Sequence, residues 1–226
     1  MEVQPEWKMK ERCPKEFAEQ FPQYHGYVLQ LLWSRGVRDA DALDEYFNPD
    51  YTTDVRDPFL VKNMTRAVDR IIKAVEGGEK IVIYGDYDAD GICGSSVLYK
   101  IFKEAGIETE VYIPDRFKEG YGLNLKSVEA IIANGARLII TVDCGITDVA
   151  EIELCNSRGV DVIVTDHHLP LMRMPAAFTI LDAKQQDETY PFKDLCGTGM
   201  AFKLACALLT QDYFITRVNK GFEKWL

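Results

Sequence analysis

From about residue 60 onward the chain alternates between two hydrophobic rhythms. Short apolar runs with the look of buried strands are followed by stretches in which apolar residues recur at helical spacing. Met64 to Glu76 puts Ala67, Ile71, Ile72 and Val75 on one side of a helix that Gly77-Gly78 stops. The same reading predicts strands over residues 80–84, 109–113, 137–142, 161–165 and 178–181. Between them it predicts helices over 95–105, 125–134 and 147–158, with a last helix over 199–210 carrying Phe202, Ala205, Leu208 and Leu209 as a core stripe. Strand-helix alternation with short apolar strands is the signature of an α/β fold, a parallel sheet with helices on both faces. Functional groups of such sheets collect at the carboxyl ends of the strands.

Residues 1–60 lack that rhythm. Val28 to Trp33 reads as a short helix ended near Gly36, and Asp39 or Asp41 caps a second helix running to Tyr46-Phe47, where Asn48-Pro49 stops it. Asp57-Pro58 reads as a turn, and Trp33, Phe47 and Phe59 as packing residues. The expected organisation is a small helical N-terminal appendage over 1–60, packed on an α/β domain over 61–226. There is no internal repeat and no low-complexity segment.

Composition narrows the class. The 226 residues carry 36 Asp+Glu against 26 Lys+Arg, a formal net charge of −10, which lacks the basic footprint of an electrostatic nucleic-acid binder. Bound divalent cations would offset that balance locally. The six cysteines form no CxxC pair and read as reduced cytosolic thiols. With no N-terminal signal pattern and no apolar run of membrane-spanning length, we expect a soluble cytoplasmic protein that makes no membrane contact. Of only three histidines, His25 reads as a packing or surface residue, whereas His167 and His168 are adjacent.

The residues that follow the strands carry the chemistry. Strand 80–84 runs into Gly85-Asp86-Tyr87-Asp88-Ala89-Asp90-Gly91, strand 137–142 into Asp143-Cys144-Gly145, and strand 161–165 into Asp166-His167-His168. In a parallel sheet all three clusters lie on one edge. Hard divalent cations prefer carboxylate oxygen, and Mn²⁺ also accepts imidazole. A set of this size exceeds the needs of one ion, so it predicts two, Mn²⁺ or Mg²⁺, in the arrangement that promotes in-line displacement at phosphorus. Two plainer readings compete. An Asp after a strand is often only a helix N-cap, which stays open for Asp86 and Asp148. An EF-hand calcium loop counted from Asp86 would need Glu at its twelfth position, where the chain has Val97.

In combination these motifs resemble the DHH phosphoesterase superfamily, named for the triplet found here at 166–168. Asp86-Tyr-Asp-Ala-Asp-Gly91, with Asp in place of a leading His, and Arg116-Phe-Lys-Glu-Gly-Tyr-Gly-Leu123 resemble its RecJ-like branch of single-strand-specific 5′→3′ exonucleases, as do Arg35-Gly-Val37 and Asp57-Pro-Phe-Leu60. The resemblance implies Asp86, Asp88, Asp90, Asp143, His167 and His168 as metal ligands, Asp143 bridging, and Asp166 orienting a histidine from behind. Water would be the nucleophile, with Asp88, Asp90, Asp143, Asp166, His167 and His168 as the catalytic set. It also implies single-stranded DNA as substrate, a role in recombination and repair, a monomer, and a single-strand-binding protein and a helicase as partners. Full-length relatives carry a further Asp motif and a second domain, so the chain reads as the N-terminal portion of a longer protein. Two alternatives accompany this expectation: a small-substrate phosphodiesterase acting on oligoribonucleotides or cyclic dinucleotides, and an inactive scaffold.

Three further features have functional readings. Arg116 and Tyr121 lie in a Gly-rich loop where they could take phosphate and stack on a base. Gly197, Thr198 and Gly199 open a helix whose N–H groups could hold a phosphate, or make a plain helix start with Thr198 as cap. Arg173 and Lys184 read as ordinary surface cations.

Overall fold

The computed structural model describes residues 7–226. They divide into two compact units, with the boundary between Arg56 and Asp57. In the first, helices α1 (Lys15–Gln20), α2 (Gly26–Trp33), α3 (Ala40–Phe47) and α4 (Tyr51–Asp54) follow one another. Asp39 caps α3 by accepting from the Ala42 N–H at 2.8 Å. A small core of Phe17, Phe21, Leu29, Leu32, Val37 and Leu43 holds the unit together.

The second unit begins with a 3-10 turn at Pro58–Leu60 and α5 (Met64–Glu76). Then come β1 (Lys80–Gly85), α6 (Ala89–Glu104), β2 (Thr109–Tyr112), α7 (Leu125–Ala133) and β3 (Ala136–Val142). The chain continues through α8 (Val149–Ser157), β4 (Asp161–Thr165), β5 (Thr179–Leu181), α9 (Gly197–Leu208), α10 (Asp212–Ile215) and a closing 3-10 turn at Phe222–Trp225. All strand pairings are parallel, in the order β2-β1-β3-β4-β5.

Alternation along each strand divides the core. Ile81, Ile83, Leu138, Ile140, Ile163 and Leu181 face the layer containing α5, α6 and α9. Val82, Tyr84, Ile139, Val162 and Val164 face α7 and α8 on the other side. Both faces are thus covered, which is why the strands read as continuous apolar runs rather than as alternating ones. Because β2 lies outside β1 while β3 returns to its other side, the strand order reverses between β1 and β3. Ligand crevices of open α/β sheets form at such a point.

The largest departure from the predicted elements is α6. It starts at Ala89, within the acidic motif, rather than at residue 95, because the Asp88 carboxylate caps it by accepting from the N–H groups of Asp90 at 2.8 Å and Gly91 at 3.1 Å. The cap is therefore Asp88, not Asp86, and the Asp148 side chain does not cap α8 either. No helix among the described residues is long and apolar enough to cross a membrane.

Candidate metal centre

Three acids stand side by side along the carboxyl edge of the sheet because the hydrogen-bond ladder continues one residue past each strand. The Asp86 N–H donates to Val142 O at 3.1 Å, the Asp143 N–H to Thr165 O at 3.0 Å, and the Asp166 N–H to Leu181 O at 3.0 Å. Each acid thus hangs from the last carbonyl of the neighbouring strand. Asp143 adopts a left-handed backbone, φ 62°, which Asp tolerates better than most residues and which turns its side chain out of the strand direction. Gly91 serves close packing: its φ is not positive, and a Cβ there would lie 2.5 Å from the Asp86 carbonyl oxygen.

Two groups of side chains offer donor atoms that lie within 4.8 Å of one another: Asp143, His167 and His168, and Asp86, Asp88 and Asp143. Asp143 belongs to both. Its carboxylate is 3% exposed, and its Oδ1 makes no well-aligned hydrogen bond although His167 Nε2 approaches to 3.0 Å. Burial, reinforced by Asp90 and Asp88, pushes its pKa up to about 7. Asp86 also has a buried oxygen without a partner, and burial raises its pKa as well. Buried carboxylate oxygens without partners are costly, and a divalent cation relieves that cost. The donor set, carboxylate oxygen plus imidazole nitrogen, suits Mn²⁺ and Mg²⁺.

The two histidines differ. Burial holds His167 below its ordinary pKa, so it is neutral and has a lone pair to offer at pH 7. The Asp166 carboxylate, 2.8 Å from His168 Nδ1, raises the His168 pKa. Asp166 is completely buried, and it also accepts from the N–H groups of Ile146 at 3.0 Å, His167 at 2.7 Å and His168 at 3.2 Å. Burial alone would raise its pKa, but these donors outweigh it and the net shift is downward. With both oxygens occupied by the protein, Asp166 holds the His168 ring through Nδ1.

Asp90 stands beside the cluster and is also tied to the start of α9. Its carboxylate accepts from Gly197 N–H and Thr198 N–H, each at 2.7 Å, and lies 3.6 Å from His167 Nε2. The Thr198 hydroxyl donates to the Asp90 carbonyl at 2.9 Å. Gly199 N–H donates to the Cys196 thiol, which caps α9 in place of Thr198. This revises the phosphate-holding role expected of Gly197, Thr198 and Gly199: their N–H groups are engaged by Asp90 and Cys196.

Tyr121 is also tied down. Its hydroxyl donates to Asp143 O at 3.0 Å and meets His168 Nδ1 at 2.9 Å. It braces the cluster, a role that leaves little freedom for the base stacking expected of it. Arg116 sits over the ring of Tyr87, within the first acidic motif, 5.1 Å from its centroid. Asp182, absent from the sequence reading, is fully buried immediately after β5, with one unpartnered oxygen and a pKa raised by burial to about 6. Its signal in the sequence is its place directly after a strand, the same signal that marks the other three acids.

The sequence matches the DHH family, N-terminal domain, over residues 80–221. It is 46% identical to the single-stranded-DNA-specific exonuclease RecJ of Bacillus subtilis over 182 residues, covering 80% of this chain and 23% of that protein. Identity to the Escherichia coli protein of the same name is 37% over 204 residues, covering 90% of this chain and 34% of the relative. The chain therefore spans about a quarter to a third of the length of these relatives. Among solved structures, it is similar to an exonuclease RecJ bound to manganese, with a TM-score of 0.63 and 31% identity, covering 72% of this chain and 40% of that one. RecJ from Thermus thermophilus in complex with Mn²⁺ aligns with a TM-score of 0.60 and 29% identity, covering 79% of this chain and 24% of the other. Three acidic clusters on one sheet edge, the Asp-His-His triplet and the match over residues 80–221 make this chain a member of the DHH family.

Proposed function

We propose that the chain forms the catalytic part of a divalent-metal-dependent exonuclease that hydrolyses phosphodiester bonds of single-stranded DNA. The observation that carries this reading is the sharing of Asp143 between two donor groups, which suits a pair of Mn²⁺ or Mg²⁺ ions bridged by one carboxylate. The identity to proteins named single-stranded-DNA-specific exonucleases supports the substrate class. Digestion from the 5′ end, service in recombination and repair, a cytoplasmic monomer, and cooperation with a single-strand-binding protein and a helicase belong to the same proposal.

His167, His168, Asp86, Asp88 and Asp143 would hold the ions, which when bound supply charge against the phosphate oxygens and acidify water near neutral pH. The protein's own groups do the rest. Asp166 holds His168 in one orientation, and Tyr121 ties His168 to the Asp143 backbone. Asp90 anchors the start of α9 beside the cluster. Arg116 supplies a cation at the rim for an approaching phosphate.

The test is release of nucleotides from an end-labelled single strand in Mn²⁺, compared with the matching duplex and with a dinucleotide. Wild-type protein should degrade the single strand from its 5′ end, and Asp143→Ala should abolish this. Equal turnover by Asp143→Ala would sink the site assignment, and preference for the dinucleotide would sink the substrate assignment.

A further inference from the structure

A cavity of about 710 Å³ opens between the loop that follows the Asp-His-His triplet and the loop that follows β5, the loops that leave the edge carrying the metal centre. One wall is apolar: Leu169, Leu171, Met172 and Met174 line it, and Met172 is entirely exposed. The other wall carries Lys184, Gln186 and Asp187. Asp187 is neutralised by an ion pair with Lys62. Lys184 is different. Its backbone N–H is held by Asp182 at 2.7 Å, and its charge is felt by His167, His168 and Asp182. No ion pair engages its ammonium among the described residues. In a chain of net charge −10, a half-buried cation stands next to an exposed apolar platform, on the two loops that follow His168 and Asp182 at the carboxyl edge.

We propose that this cavity is a nucleotide subsite: the base lies on Met172 and its apolar neighbours, and Lys184 takes the phosphate next to the bond under attack. The inference rests on the proposed action on single-stranded DNA. Thioethers pack favourably against aromatic rings, and a flat apolar surface accepts any of the four bases, as a non-specific nuclease requires. Hydrolysis of a polymer also needs a grip on the flanking nucleotide, because positioning the reacting phosphate supplies much of the rate. An acidic metal centre gives no such grip to a base.

The experiment measures binding of a dye-labelled, phosphorothioate-linked thymidine dodecamer to the wild-type chain and to Met172→Ser, Lys184→Ala and Lys184→Arg, across a salt series. Loss of a stacked base should weaken binding by about tenfold in Met172→Ser without changing the salt slope. Loss of one phosphate contact should lower the slope of log affinity against log salt by about 0.7 in Lys184→Ala, with Lys184→Arg restoring it. The same oligonucleotide carrying one abasic residue at its 5′ end should lose affinity for wild type but not for Met172→Ser. Binding by all variants within twofold of wild type, with unchanged slopes, overturns the subsite and leaves the proposed function standing. A wild-type chain that binds no oligonucleotide and releases no nucleotide in Mn²⁺ overturns both.

Discussion

Replacing Asp143 by Asn removes one negative charge from a buried point of the acidic edge while keeping side-chain size. Asn tolerates the left-handed backbone at this position at least as well as Asp, so the fold should accept the change. In the metal-free wild type the carboxyl pKa stands at about 7 against an ordinary 3.8, because it is buried and faces Asp90 and Asp88. Between those two values the folded chain binds more protons than the unfolded one. Its stability therefore falls as pH rises from about 4 to 7, and the full loss is present above 7. Roughly three pH units correspond to about 4 kcal/mol, and a site open to water on one side retains about half of that. The expected gain for Asp143→Asn in EDTA is then about 2 kcal/mol at pH 8, or a rise in Tm of about 4–8 °C, shrinking toward zero near pH 4. Mn²⁺ should raise the Tm of wild type and leave the variant almost unchanged. Thermal unfolding followed by circular dichroism at pH 5, 6.5 and 8, with EDTA or with Mn²⁺, measures all of this. A variant no more stable than wild type at pH 8 in EDTA, or a gain equal at pH 5 and pH 8, would refute the argument that burial and neighbouring acids strain the Asp143 carboxylate without metal.

The opposite sign is expected at Asp166. Asp166→Asn removes the buried charge paired with His168 and turns one of two acceptor oxygens into an NH2 donor facing backbone N–H groups, so it should destabilise the chain by about 3 kcal/mol and weaken Mn²⁺ binding by about 10–100-fold, read by thermal unfolding and by calorimetric titration. Unchanged Mn²⁺ affinity would reassign Asp166 to a purely structural role. Gly145→Ala meets both a φ of +110° and a Cβ only 2.7 Å from Thr141 Oγ1, so it should cost about 2–4 kcal/mol in stability, read from the chemical-denaturant midpoint. A loss below about 0.5 kcal/mol would mean that the turn after β3 relaxes freely.

The sheet was legible because β1, β3 and β4 are apolar runs long enough to be buried on both faces, and each runs directly into an acid. Strand position alone then placed Asp86, Asp143 and Asp166 on one edge. The start of α6 was not legible, since an Asp-rich stretch reads as a polar loop until the Asp88 cap is seen. Asp182 escaped notice because β5 is only three residues long and no glycine or second acid marks its end. The ties from Asp90 to Gly197 and Thr198, and from Tyr121 to His168, join residues far apart in sequence, so no local pattern announces them.

The ties from Asp90 to the start of α9 also set an order of events. Asp90 is made early in synthesis, yet the two N–H groups that hold its carboxylate arrive 107 and 108 residues later. Until Gly197 and Thr198 have left the ribosome, a nascent chain whose five strands have already paired carries an acidic edge with one flank loose. Assembly of the centre is thus coupled to the docking of the last long helix, and a chain interrupted after β5 would display the ligands without the arrangement that sets them.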